Sequence, residues 1–98
     1  MVVRVRVPTQ LRDVVGGPAV VEITAGAPGD PTTVSSVLDA LAAQHPALER
    51  RIRDEQGRPR PHVNLFVGSD NVRDRDGLAT LISDGQELSV IPAVSGGG

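Results

Sequence analysis

Hydrophobic and polar positions alternate at the start of the chain. Residues 2–7 read VVRVRV, so Val3, Val5 and Val7 share one face and Val2, Arg4 and Arg6 the other. That period of two predicts a strand with one buried side, ended by Pro8. TQLRDVV, residues 9–15, has the look of a short helical turn, and Gly16-Gly17 permits a sharp reversal. A second β-branched run follows at Ala19 to Thr24. Two strands joined by a short connection predict an antiparallel pair.

The period then changes. AGAPGDP, residues 25–31, is a loop by composition, and Thr32-Thr33 offers a helix N-cap. Val34, Val37, Leu38, Leu41 and Ala42 recur at helical spacing, while Asp39 and Gln44 fall off that stripe. Pro46 disfavours helical geometry at His45 and so ends the helix near 44–45. ALERRIRD, residues 47–54, predicts another helical turn or two with Leu48 and Ile52 inward, and EQGRPRP, residues 55–61, an exposed loop.

Period two returns at HVNLFV, residues 62–67, with Val63, Leu65 and Val67 on one face and His62, Asn64 and Phe66 on the other. GSDNVRDRDG, residues 68–77, is polar and reads as a loop, with a tight turn at 69–71. LATLI, residues 78–82, predicts a one-turn helix, and Asp84-Gly85 a turn. Residues 87–91 form the last predicted strand, Leu88 and Val90 on one face and Ser89 and Ile91 on the other, with Pro92 as its stop. The order strand, strand, helix, strand, short helix, strand predicts an α+β sheet with one helix-covered face.

Ninety-eight residues support one domain with a modest core. With one Phe, one Met and no Trp or Tyr, that core is aliphatic. The composition argues against an aromatic-lined pocket and against base-stacking platforms. A net charge of −2 gives no overall basic footprint for nucleic acid. All ten basic residues are Arg, and there is no Cys, which excludes disulfides, thiolate catalysis and thiolate metal sites. MVVRVRVP does not resemble a signal peptide and no apolar run approaches a membrane span, so the expectation is a soluble cytoplasmic protein.

The last residues are the unusual ones. After Pro92 the sequence runs AVSGGG. Glycine has no side chain to bury and the most backbone entropy to lose, so three in a row do not serve a packed element. They are leftover chain or a working part whose terminal carboxylate reacts.

DGQELSVIPAVSGG, residues 84–97, resembles the C-terminal pattern of the ubiquitin-like sulfur carriers, the MoaD/ThiS family: Asp-Gly, an acidic residue, an apolar strand, Pro, small residues and Gly-Gly. A strand followed by PTQLR at residues 8–12 and the element order agree. Within that family the opening PTQLRDVVGG, the PHVNLFV strand and GLATLISDGQELSVIPAVSGG look like the CysO-type actinobacterial carriers. The resemblance covers essentially the whole chain.

It implies a β-grasp (ubiquitin-like) fold: a mixed four- to five-stranded sheet with one main helix on one face. Residues 1–92 would be the domain and 93–98 a flexible reactive tail. It implies a protein cosubstrate, not an enzyme. An ATP-dependent adenylating enzyme would activate the terminal carboxylate, a sulfur donor would convert it to a thiocarboxylate, and a sulfur-accepting biosynthetic enzyme would take the sulfur for cysteine or another small metabolite. ATP would be used by the activating enzyme, with no cofactor bound here and no nucleic-acid or membrane partner. The alternatives in the same family are a molybdopterin synthase small subunit and a ubiquitin-like protein modifier.

On this reading Gly97 or Gly98 carries the reactive carboxylate, since the family ends in two glycines and this chain in three. Gly96, Ser95 and Val94 would thread a partner's channel, which residues without Cβ enter most easily. Phe66 and Ile91, with Val2, Arg4 and Arg6, fall opposite the expected core face and form a candidate docking patch if the helix covers that core. A loop or the tail covering Phe66 is the plain alternative. His45 stands at a helix end, where a cation favours the terminal carbonyls, and His62 opens a strand with no nucleophile nearby in sequence. Asp70, Asp74 and Asp76 lack the end residue of an EF-hand, and no metal site is expected.

Overall fold

The computed structural model describes residues 1–26 and 31–92. Both predicted N-terminal strands form: β1 (Val2–Arg6) and β2 (Val20–Thr24) pair antiparallel, with Val3 opposite Ile23 and Val5 opposite Val21. A 3-10 helix at Thr9–Val15 connects them, closed by Gly16, whose φ of 87° favours a residue without Cβ. A short strand β3 (Thr32–Thr33) leads into α1 (Val34–Gln44), and α2 (Pro46–Ile52) follows at once.

The boundaries of α1 follow from side-chain chemistry. The Thr33 hydroxyl accepts a hydrogen bond from the Ser36 N–H at 3.1 Å, so one of the unpaired donors of the first turn is satisfied. At the other end His45 caps α1, and Pro46 opens α2, where its missing N–H costs nothing.

The chain then forms β4 (Val63–Val67), β5 (Asp70–Asn71), β6 (Leu81–Ile82) and β7 (Glu87–Pro92). Five strands make one mixed sheet in the order β2-β1-β7-β4-β5, with β1 parallel to β7 and the other pairs antiparallel. The last strand is therefore the central one. β3 and β6 form a separate two-stranded pair. This is the α+β β-grasp fold.

One face of the sheet is the core. Val3, Val5, Ile23, Leu65, Leu88 and Val90 pack with Val37, Leu38 and Leu41 of α1 and Leu48 and Ile52 of α2 in a single buried cluster. Burying an aliphatic side chain of this size contributes about 1.5–3 kcal/mol. Half a dozen or more such residues explain how a chain with a single Phe holds a core.

Three expectations need correction. LATLI is not one helix: a 3-10 turn at Gly77–Ala79 gives way to β6, which pairs with Thr32 and Thr33. Two residues are too few for periodicity to separate strand from helix. The polar run 68–77 is not all loop, because β5 closes a hairpin onto β4 and Val72 is buried in a second 3-10 turn. The last strand takes in Pro92, opposite Val63, rather than ending at Ile91.

Candidate functional site

Two features bear on how a tail could be presented: the strand that delivers it and the surfaces beside that strand. The delivering strand is β7. It is flanked by β1 from Arg4 to Arg6 and by β4 from Val63 to Val67, so Leu88 and Val90 are fully built into the core ladder. Pro92 is the last described residue, and it ends the central strand of the sheet. Val94, Ser95, Gly96, Gly97 and Gly98 lie outside the described residues.

The candidate docking residues do share one face. On the side of the sheet away from the helices, Arg4 sits between Glu22 and Glu87, and Arg6 between Val20 and Ser89. Ser89 faces Phe66, and Ile91 faces Asn64. Phe66 and Ile91 are thus diagonal neighbours, about 7–8 Å apart in an antiparallel ladder. Ile91 is 47% exposed, whereas Phe66 is only half-buried against its surroundings.

The patch is also interrupted by charge. The Arg6 Nε donates to Glu87 Oε1 at 2.6 Å. Among the described residues Arg4 has no carboxylate within ion-pair distance. Val2 lies at the far end of β1, beside Asp84, which accepts the Val2 N–H at 2.8 Å. The apolar area is therefore Phe66 of β4 and Ile91 of β7 with Arg6 at its edge, and Ile91 directly precedes Pro92.

Sequence patterns missed a second feature at that point. A cleft of about 410 Å³ opens beside Pro92, lined among others by Arg50, Arg51, Arg60, His62 and Val63. Arg50 and Arg51 come from α2, whereas Arg60 and His62 come from the segment that leads into β4. The paired arginines were visible in the sequence, but their approach to the tail root depends on how α2 packs over the sheet end.

Other charged groups are accounted for structurally. Arg53 is buried and binds Glu49 Oε1 at 2.6 Å and Asp39 Oδ1 at 2.9 Å. Burial by itself would push the Arg53 guanidinium down, but hydrogen bonds and charge from Glu49 and Asp39 hold it above its ordinary value. Asp70 pairs with Arg75 at 3.2 Å, which places one of the Asp-rich loop carboxylates in an ion pair. Among the described residues no three His, Asp or Glu side chains are grouped to hold a metal.

The ThiS family profile matches residues 5–97. The sulfur carrier protein CysO of Mycobacterium tuberculosis is 37% identical over 99 residues, covering 99% of this chain and 100% of that protein. Small archaeal modifier protein 3 of Haloferax volcanii is 41% identical over 68 residues, covering 69% of this chain and 73% of that one. The crystal structure of the Amycolatopsis orientalis BexX/CysO complex superposes with a TM-score of 0.80 at 30% identity, covering 95% of this chain and 97% of the matched one. A five-stranded β-grasp sheet and these matches define the class together: the chain belongs to the ThiS family of ubiquitin-like sulfur carriers. Members of this family are carriers rather than catalysts. Among the described residues no helix is long and apolar enough to cross a membrane.

Proposed function

We propose that this protein carries sulfur as a thiocarboxylate on its C-terminal Gly-Gly segment and donates it to a partner enzyme in cysteine or other small-metabolite biosynthesis. The observation that carries this reading is the match to CysO along the whole chain, with AVSGG following the residues of the central strand in the sequence.

The chemistry follows from the residues. A carboxylate is a poor electrophile. An ATP-dependent activating enzyme supplies an AMP leaving group, and sulfide displaces it, forming the C–S bond as the bond to AMP breaks, to leave the thiocarboxylate. Gly96 to Gly98 have no Cβ and fit a narrow channel. From Pro92, six further residues extend at most about 20 Å, enough to reach a partner's active site from a docked globule. No Lys or Cys side chain on the carrier competes for the activated end. Phe66 and Ile91, with Arg4 and Arg6, form the docking face. The reaction belongs to the cytoplasm, where ATP is supplied.

The reactive residue is Gly97 or Gly98, and the family match ends at Gly97. Removal of Gly98 would give the two-glycine end of the family pattern. The test is reconstitution with the activating enzyme of the same organism, ATP and sulfide. Intact mass should rise by the difference between a sulfur and an oxygen atom. No such product would count against the reading.

Similarity to small archaeal modifier protein 3 favours one second reading, attachment to proteins through the same activated end. It predicts an isopeptide bond to a lysine of another protein, seen as a ladder of conjugates in cell extract. A carrier alone gives none.

A further inference from the structure

Of the ten arginines, four are spent on carboxylates: Arg6, Arg53, Arg58 and Arg75. The other six have no ion-pair partner among the described residues. Three of these six, Arg50, Arg51 and Arg60, line the cleft beside Pro92, and no Asp or Glu lines it with them. A fourth, Arg12, lines a second groove that also reaches Pro92. Its Nε donates to the Val7 carbonyl at 3.2 Å, and the Arg60 Nε donates to the Arg50 carbonyl at 2.8 Å. Both are thus held near the tail root by backbone oxygens, which leave their charge uncompensated.

Acids exist nearby but are already engaged. On the far side of Arg50 and Arg60, Glu49 and Asp39 are bound to Arg53, and Asp54 to Arg58. Glu55 is the one acid of that neighbouring cleft outside an ion pair. A chain of net charge −2 therefore concentrates unpaired positive charge at the point where its last strand ends.

We propose that Arg12, Arg50, Arg51 and Arg60 form a basic collar that docks an acidic rim around the tail channel of the activating enzyme. This rests on the carrier reading above. If the tail enters a channel as far as its root, the channel mouth must cover the residues flanking Pro92. The cleft is open and Arg50 and Arg51 are exposed, which suits a protein rim rather than an enclosed small anion. The overall negative charge disfavours a nucleic acid. Charges at an interface rim act mainly on encounter and register, so their contribution should fall as salt rises.

The test is steady-state thiocarboxylate formation with the activating enzyme of the same organism, ATP and sulfide, comparing wild type, R50E/R51E and the charge-matched control R58E/R75E. The Arg50 and Arg51 side chains make no hydrogen bond among the described residues, so the fold should survive; R50Q/R51Q, which only removes charge, is the milder check. R50E/R51E should raise KM about tenfold with kcat within about twofold, the signature of lost uniform binding. R50Q/R51Q should shift KM the same way by less, the control should stay near wild type, and the gap should narrow in high salt. Product from wild type with the same KM for R50E/R51E overturns the collar and leaves the carrier reading standing. No product even from wild type overturns both. A wild-type dimer that R50E/R51E dissociates would assign the cleft to a second copy of this chain and overturn the collar.

Discussion

Val63 and Pro92 face each other at the last position of the β4–β7 ladder. The pairing holds the last described residue of the central strand in the sheet. Proline has no N–H to donate, so the strand can end there without orphaning a donor. The two residues before it in the core, Leu88 and Val90, are buried and register against Val67 and Leu65. The tail therefore starts from the most constrained strand of the fold.

That constraint predicts a stability cost with little chemical cost. Leu65 is 1% exposed and lies opposite Val90. Leu65→Ala should lower unfolding free energy by about 2–5 kcal/mol, measured by denaturant titration. Thiocarboxylate formation at low temperature should persist, because no reacting group is touched. A loss under 1 kcal/mol would mean that β4 is not packed as described.

Arg53 makes a second structural prediction. Its guanidinium is buried between Glu49 and Asp39. Arg53→Met leaves the mostly buried Glu49 carboxylate without its partner and should cost about 2–4 kcal/mol. The double variant E49M/R53M should recover part of that loss, because removing both charges also removes the unpaired one. Thermal unfolding of the four proteins of the cycle measures the coupling.

Asp54 sets an acid limb. The Arg58 N–H, assisted by the Gln56 N–H and the Arg58 guanidinium, holds the Asp54 carboxyl below the usual carboxylate range. A folded value below the unfolded one stabilises above the unfolded value, and that stabilisation is lost as pH falls through the folded value. Asp54→Ala should therefore destabilise near neutral pH and differ less from wild type at about pH 2. A gap that is constant with pH would contradict this.

The outer face predicts a change in recognition without a change in folding. Ile91 is exposed and Phe66 half-buried beside it. I91S should shift stability by no more than about 0.5 kcal/mol. Together with F66A it should raise KM with the activating enzyme several-fold while kcat is kept, since loss of uniform binding leaves the chemical step alone. An unchanged KM would remove this face from the docking surface.

Long periodic segments were legible from sequence, and short ones were not. VVRVRV, the Val34–Leu41 stripe and HVNLFV each bury one side over enough residues to fix element type and facing. β6 has two residues, one exposed and one buried, and its strand geometry comes from pairing with Thr32 and Thr33. Val72 sits alone in a polar run, so nothing local marked it as core. The docking face was readable because strand alternation places Arg4, Arg6, Phe66 and Ile91. Its limits were not, because register decides that Val2 lies far from Phe66 and Ile91. The collar was hidden for the same reason: Arg12, the Arg50–Arg51 pair and Arg60 lie on three separate segments that the fold brings together around Pro92.

The most direct measurement is fragmentation mass spectrometry of the carrier after incubation with its activating enzyme, ATP and sulfide. One sulfur-for-oxygen exchange is expected, carried only by fragments that contain the C-terminal carboxyl of Gly97 or Gly98. A variant lacking Gly97 and Gly98 should show none. An unmodified wild-type tail, or a truncated variant that still acquires sulfur, would contradict it.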